Sequence, residues 1–111
     1  MSGEFRMEGS DIVIADDSGV KIEIVEAVID LDESGSPIGI ELLSIFDRFP
    51  GLAQNLATRQ VDGARFAVDE EADALYIRLA ERRSVEQLVT TAALAIGLGG
   101  TLLGLRVRLE R

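Results

Sequence analysis

Short runs of alternating polar and apolar residues dominate the first half of the chain. Residues 20–25 read Val-Lys-Ile-Glu-Ile-Val, and residues 11–15 contain the apolar run Ile-Val-Ile. A period of two is typical of β-strands that bury one face. Residues 16–19, Asp-Asp-Ser-Gly, lie between these runs and have the composition of a turn. The pattern therefore predicts a hairpin of two strands.

Two further strands are predicted before residue 44. One covers residues 27–31, with Ile29 and Leu31 on one face, and it is followed by the turn sequence Glu-Ser-Gly-Ser. The next begins at Pro37, because proline is tolerated at the first position of a strand. We expect the buried face of this strand to hold Ile38, Ile40 and Leu42.

Helical spacing replaces the alternation over residues 45–58. The apolar positions with this spacing are Ile45, Phe46, Phe49, Leu52 and Leu56. Because proline disrupts the interior of a helix, Pro50 predicts a short turn and then a helix that begins near it.

The strand pattern returns in the second half. Strands are predicted over residues 65–68, 74–79, 85–90, 92–98 and 101–109. In the second of these, Leu75, Ile77 and Leu79 are expected to point inward, with Tyr76 and Arg78 outward. The last two strands form a hairpin around Gly99-Gly100, since two glycines suit a tight turn.

Residues 28–43 and 93–108 align with each other at a shift of 65. The alignment places Gly35 on Gly100 and Gly39 on Gly104. A repeat of this period indicates two copies of one small unit. We predict a mainly β (α+β) fold of two pseudo-symmetric antiparallel β-meander units joined by one short helical segment.

This pattern predicts one compact domain overall, in keeping with the length of the chain. The N-terminal residues have no apolar core of the kind that a signal peptide needs, so a tail is expected there. The predicted parts are a flexible tail over 1–10, a first repeat with the helical segment over 11–58, a linker over 59–64 and a second repeat over 65–111.

The stretch from Thr90 to Leu105 contains no charged residue. It is too short and too rich in glycine for a membrane span, and a hairpin buried on both faces explains it better. One face would cover the core, and the other would contact the first repeat or a second chain. The candidate interface residues of a homodimer are Leu94, Ile96, Leu98, Leu102, Leu103 and Leu105.

Charge and cysteine content narrow the partners and the compartment. Residues 1–50 have a net charge of −9, which argues against binding a nucleic-acid backbone there. Five arginines of the second half could form a basic strip, but we favour a solvated strand face that meets acids on its neighbour. The chain has no cysteine, which fits a reducing cytoplasm. We expect neither a nucleic-acid nor a membrane partner.

Residues 68–79 read Val-Asp-Glu-Glu-Ala-Asp-Ala-Leu-Tyr-Ile-Arg-Leu. This stretch resembles the opening signature of the small prokaryotic family catalogued as domain of unknown function 2283. Residues 30–43, which end in Ile-Gly-Ile-Glu-Leu-Leu, resemble the closing signature of that family. The resemblance implies a small β-rich unit with no established activity, and it assigns no catalytic residues.

The resemblance is uneven between the two copies. The second copy has Ala-Ile-Gly-Leu-Gly over 95–99 where the family has an acidic hairpin, and the first has only Ser10–Ile14 in place of the opening signature. The opening is therefore clear in one copy and the closing in the other. We expect these two stretches, 68–79 and 28–43, to lie side by side.

Two acidic clusters leave a ligand site open as an alternative. Residues 30–41 match the spacing of a calcium-binding loop, but the flanks alternate like strands, and a hairpin with exposed acids explains them better. The acids of 69–73 more often cap a helical turn than share a metal. The candidate acidic residues are Asp30, Asp32, Glu41, Asp69 and Asp73.

Catalytic machinery is sparse in this sequence. The chain has no histidine and no cysteine, so neither a Ser-His nor a Cys-His nucleophile pair can form. Gly97-x-Gly99-Gly100 lacks the spacing of a dinucleotide-binding loop. We expect a non-enzymatic protein-interaction or regulatory module without a cofactor, acting as a homodimer, with a small-ligand or metal-binding domain as the alternative.

Overall fold

The computed structural model of the chain describes residues 6–14, 21–49, 65–69, 71–97 and 102–109. These residues form eight strands and one short helix. The elements are β1 (Arg6–Glu8), β2 (Asp11–Ile14), β3 (Lys21–Leu31), β4 (Pro37–Leu43), α1 (Ile45–Arg48), β5 (Arg65–Asp69), β6 (Ala74–Arg78), β7 (Glu86–Ile96) and β8 (Leu102–Arg108).

The eight strands belong to a single sheet in the order β1-β2-β8-β7-β3-β4-β6-β5. Every pairing among the described residues is antiparallel. The predicted mainly β (α+β) class is therefore confirmed. Consecutive strands form four hairpins, and β3 joins the two halves of the sheet by pairing with β7 over eleven residues.

The sheet is pseudo-symmetric about the β3–β7 pair. If each of β1–β4 is exchanged with its counterpart in β5–β8, the strand order of the sheet is the same when read from the opposite edge. The bounds of β3 and β7, and those of β4 and β8, differ by 65 residues, as the sequence alignment predicts. A register shift also recurs at that spacing, between Asp30 and Leu31 and between Ala95 and Ile96.

The two clearest parts of the family resemblance are neighbours in the sheet. β4 pairs with β6, so that Glu41 lies opposite Tyr76 and Leu42 opposite Leu75. The prediction that 68–79 lies beside 28–43 is therefore confirmed. Each half of the sheet thus combines a hairpin from the first half of the chain with a hairpin from the second half.

One face of the sheet forms the hydrophobic core. Alternate residues of the strands meet there, as the period-two pattern predicts for Ile29, Ile40, Leu75 and Ile77, all of which are fully buried. Burial of each such side chain contributes about 1.5–3 kcal/mol. Ile38 is buried as well, but it lies at the register shift in β4 and outside the core cluster.

Three expectations for local structure are wrong. The predicted hairpin of 11–15 with 20–25 does not form, because β1 and β8 occupy both edges of β2. The predicted strands 20–25 and 27–31 are not separate, since β3 runs without a break from Lys21 to Leu31, and β7 likewise runs without a break from Glu86 to Ile96 across the boundary predicted near residue 91. Part of the predicted tail, residues 6–8, forms β1.

The helix α1 occupies only the beginning of the predicted helical segment. Residues 50–64, which include the rest of that segment and the linker, lie outside the described residues. The amides of Phe46 and Asp47 donate to the Asp73 carboxylate, at 2.7 Å and 3.2 Å. The first turn of α1 is therefore capped from the β5–β6 turn rather than by Ser44, whose φ is 53°.

Candidate interaction surface

The outer face of the central strands lies opposite the core. β3 and β7 pair without a register shift, so residues opposite each other point to the same side of the sheet. Every second residue points away from the core, which gives five side chains from each strand. The outer face is formed by Ile22, Ile24, Glu26, Val28, Asp30, Gln87, Val89, Thr91, Ala93 and Ala95.

Three apolar side chains of the outer face are strongly exposed. The exposed fraction is 59% for Ile22, 56% for Ile24 and 73% for Val89. Exposure forgoes most of the roughly 1.5–3 kcal/mol that burial of such a side chain supplies. They belong to two apolar groups on either side of the Glu26–Thr91 pair. Grouped apolar side chains on a solvent-facing sheet make this surface a candidate interaction site.

A change of phase in the hydrophobic pattern explains this exposure. Ile22 and Ile24 alternate with each other, but the buried positions that follow are Val25 and Ala27. Since β3 has no register shift between residues 21 and 30, both phases cannot face the core. The longer run from Val25 to Leu31 takes the core side, and the isoleucines are left on the outer face.

A polar network occupies one end of the outer face. Tyr76 donates its hydroxyl hydrogen to Asp30 Oδ2 across 3.1 Å, and Gln87 Nε2 donates to Asp30 Oδ1 across 3.0 Å. The Tyr76 ring passes over Gly39 to reach this carboxylate. Partial burial, and then the bond to Asp30, raise the pKa of Tyr76 above its usual value. The network connects β6, β3 and β7 across β4.

The opposite end of the outer face is apolar at the equivalent positions. In the pseudo-symmetric half of the sheet, Val13 takes the place of Tyr76, and Gly104 takes the place of Gly39. Ala95 takes the place of Asp30, and Ile22 takes the place of Gln87. Val13 is fully buried and Ala95 is nearly so. One site of the pair is thus a hydrogen-bonded network, and the other consists of apolar residues and a glycine.

The candidate interface residues of the 90–105 stretch lie mainly on the core side. Leu94, Ile96, Leu102 and Leu105 are buried in the core cluster of the single chain. These four side chains are therefore unavailable to a second chain, which corrects their placement at an interface. Leu103 is half-buried and contacts Gly97. Leu98 lies outside the described residues. Among the described residues of this stretch, the outer face presents the exposed Thr91 and the half-buried Ala93 rather than buried leucines.

The candidate acidic residues are dispersed. Asp30 belongs to the polar network, Asp73 caps α1, and Asp69 accepts a hydrogen bond from the amide of Ala72. Glu41 lies on β4 opposite Tyr76. Among the described residues, no group of three or more acidic side chains is placed to hold a metal ion.

The carboxylate of Asp32 organises the turn between β3 and β4. Its Oδ1 accepts hydrogen bonds from the Ser34 hydroxyl at 2.7 Å and from the amides of Ser34 and Ser36 at 2.9 Å. The Ser34 hydroxyl, the Ser36 amide and the nearby Arg82 guanidinium lower the pKa of Asp32 despite partial burial. The calcium-like spacing of 30–41 therefore encodes a hydrogen-bonded turn.

An open cleft of about 510 Å³ lies beside this turn. Arg82 Nε forms an ion pair with Asp32 Oδ2 at 2.9 Å, which fixes the guanidinium at the cleft. Arg83 lines the cleft too, and it has no ion pair within the described part of the chain. Asp32, Glu33, Ser34 and Val85 complete the lining. Free guanidinium N–H groups next to a hydroxyl can bind an oxyanion.

One arginine of the predicted basic strip, Arg106, meets acids on neighbouring strands. Arg106 forms ion pairs with Asp11 at 3.0 Å and with Glu8 at 2.9 Å, and these contacts connect β8, β2 and β1. The acidic partners raise the pKa of Arg106. Such pairs on an exposed face contribute little to stability, typically about 0–1 kcal/mol.

No protein-family model, no curated protein and no solved structure matches this chain. Within the described ranges, no helix has the length and apolar character needed to cross a bilayer.

Proposed function

We propose that the chain is a non-enzymatic protein-interaction module that binds its partner through the outer face. The observation that carries this proposal is the exposure of Ile22, Ile24 and Val89 at the centre of the sheet. These side chains add nothing to the core, and β-branched residues on a regular sheet offer a flat, rigid contact surface. Burial by a partner would recover the free energy that their exposure forgoes.

The use of the acidic residues supports a non-enzymatic role. Asp30, Asp32 and Asp73 each accept several hydrogen bonds from the chain itself. General acid–base catalysis instead needs a carboxyl group that is free to exchange a proton with a substrate. These three carboxylates therefore serve the fold.

We also propose kinship with the domain of unknown function 2283 family and descent of the two halves from one duplicated unit. The neighbouring positions of β4 and β6, and the repeated register shifts, support this origin. The lack of cysteine supports a cytoplasmic site of action.

The proposed function is tested by comparing the proteins that bind the wild type with those that bind a variant of the outer face. An affinity-tagged chain is expressed together with an untagged copy, and the proteins that co-purify are identified. We expect the wild type to retain its partner and the double variant Ile24→Thr/Val89→Thr to lose it. Threonine keeps the β-branched shape at both positions, so folding should persist.

The matched control for this comparison is Val68→Thr. Val68 is 42% exposed on β5 and lies on the opposite side of the sheet from the outer face. Recovery of the same proteins with the wild type, the control and the double variant would contradict the proposal. Circular dichroism of all three chains verifies that each is folded.

A second candidate function is the binding of a small anionic ligand in the Asp32 cleft. The observation that favours it is the position of Arg82, which Asp32 holds through Nε while the terminal N–H groups stay free in the described structure. Inorganic phosphate should then raise the melting temperature of the wild type more than that of Arg82→Gln/Arg83→Gln. Equal shifts in the two chains would exclude this site.

A further inference from the structure

We infer that the occupant of the outer face is a second copy of this chain, packed face to face about a two-fold axis that runs along the strands. The inference rests on the proposed function and names the partner. An isologous dimer requires a surface that is complementary to itself. The outer face satisfies that requirement in this orientation, because of the side chains that pair across β3 and β7.

Two of the three apolar pairs on the outer face set a large side chain opposite a small one, and the third pairs Val28 with Val89. Ile22 lies opposite Ala95, and Ile24 lies opposite Ala93. We place the two-fold axis between β3 and β7 and parallel to them. Each β3 side chain of one copy then lies over the β7 residue of the other copy that is its own pairing partner within the chain. Ile24 of one copy then lies over Ala93 of the other. Large residues set against small ones allow two layers to interdigitate.

The polar residues also match in this orientation. Glu26 lies opposite Thr91 and Asp30 opposite Gln87 within the chain, so the same pairs meet between copies. The Thr91 hydroxyl can donate to the Glu26 carboxylate, and Gln87 can donate to Asp30 as it does within the chain.

A two-fold axis across the strands would produce the opposite result. Such an axis passes over the Glu26–Thr91 pair, on which the pseudo-symmetry of the outer face is centred. It places Glu26 of one copy on Glu26 of the other, and Ile22 of one copy on Asp30 of the other. It would bring like charges together and bury a carboxylate against an apolar side chain, both of which are costly. The charged and apolar side chains of the outer face therefore favour a two-fold axis that is parallel to β3 and β7.

The area of the central strands is compatible with a dimer. β3 and β7 have eleven residues each, and the flanking β4 and β8 have seven. At about 3.3 Å per residue and about 4.8 Å between strands, the four strands present roughly 600 Å² of planar area. Side-chain relief increases the accessible area toward the roughly 800 Å² per partner that is usual for stable complexes.

The first test is the molar mass of the purified chain by multi-angle light scattering. We expect a dimer for the wild type, and for Ile24→Glu a dissociation constant raised by more than about tenfold. Val68→Glu, an exposed position on the core side of β5, should remain dimeric. If Ile24→Glu proves unfolded by circular dichroism, Ile24→Thr replaces it, with the same expected direction.

The second test establishes the orientation. The chain has no cysteine, so Ile22→Cys introduces a single thiol. An axis along the strands brings the two copies of residue 22 close together, whereas an axis across the strands separates them by eight residues of strand, about 26 Å. We expect a short bismaleimide to link Ile22→Cys into a covalent dimer. Failure to link would overturn the proposed orientation.

A wild-type chain that is monomeric at about 100 µM would overturn the inference, because complexes of this area have dissociation constants of micromolar or below. That outcome differs from failure of the proposed function. If the dimer inference fails but the proposed function holds, the co-purification experiment gives a distinct result. A different protein would bind the wild type and not Ile24→Thr/Val89→Thr, and the untagged copy of the chain would be absent from all samples.

Discussion

The hydroxyl group of Tyr76 lies above Gly39, in the space that a Cβ atom at residue 39 would occupy. The absence of a side chain at Gly39 lets the tyrosine ring cross β4 and reach Asp30 on β3, where its hydroxyl donates across 3.1 Å. A glycine within a strand usually weakens the sheet, but an aromatic ring from the adjacent strand can cover the gap.

Gly39→Ala should lower the free energy of unfolding by about 1–3 kcal/mol, because the methyl group displaces the Tyr76 ring. Urea denaturation measures this change. In a Tyr76→Ala background the same substitution should cost much less, since the ring that it displaces is gone. Equal costs in both backgrounds would show that the two residues are not coupled.

Tyr76→Phe should destabilise the chain by about 1 kcal/mol, the usual net value of one hydrogen bond. The raised pKa of Tyr76 gives the bond a pH dependence. Its contribution is fully present below the unfolded-state pKa and is lost as the pH rises through the higher folded-state pKa.

The chain has a single tyrosine, so ultraviolet absorbance titrates Tyr76 alone. Asp30→Asn should lower its pKa only partly toward the usual value, because burial is the larger cause of the shift. An unchanged pKa in Asp30→Asn would contradict the assigned bond. Asp69→Asn is the control, since Asp69 bonds only to its own turn in the described structure.

The hydrophobic pattern predicts strand positions and most buried faces of this sheet. From Val25 onward, the alternation correctly places Ala27, Ile29 and Leu31 on the core side. It fails at Ile22 and Ile24, because a local pattern cannot show that the strand continues without a bulge and which phase then faces the core. The outer face could have been found from that change of phase.

Pairing between distant strands is beyond the reach of the local pattern. Alternation gives the face of a residue but not the neighbour of its strand, so β2 was expected to pair with β3 rather than with β8. The complementary signatures at 68–79 and 28–43 partly supply this information, since they predict β4 beside β6. The role of Asp30 was obscured because its donors, Tyr76 and Gln87, are 46 and 57 residues away.

Asp73→Ala should destabilise the chain by about 1 kcal/mol, because it removes the acceptor for the amides of Phe46 and Asp47. Asp73 also has a positive φ of 50°, which alanine tolerates poorly. Asp73→Asn keeps an acceptor and tolerates this φ, so it should cost less. Asp73→Gly relieves the φ but loses the cap.

Hydrogen exchange locates the effect of the Asp73 variants. The amides of Phe46 and Asp47 should exchange faster in both Asp73→Ala and Asp73→Gly, while those of the β3–β7 ladder should not change. Unaltered protection of the α1 amides in Asp73→Gly would mean that the cap contributes nothing to this helix.

Acid should weaken the chain through Asp32. Hydrogen bonds from Ser34 and Ser36 and the Arg82 guanidinium lower the pKa of Asp32 in the folded state. A carboxyl group with a lowered folded-state pKa stabilises the fold above its unfolded-state pKa, which is about 3.9, and this contribution is lost as the pH falls through the folded value.

The melting temperature of Asp32→Asn should therefore be lower than that of the wild type at neutral pH, with the difference shrinking as the pH falls below about 4. Ser34→Ala removes the largest cause of the shift, so NMR titration should give a higher pKa for Asp32 in that variant. Glu33→Gln, an exposed neighbour in the same turn, is the matched control and should follow the wild type. A constant difference between Asp32→Asn and the wild type across the acid range would show that the ionised carboxylate is not what stabilises the turn.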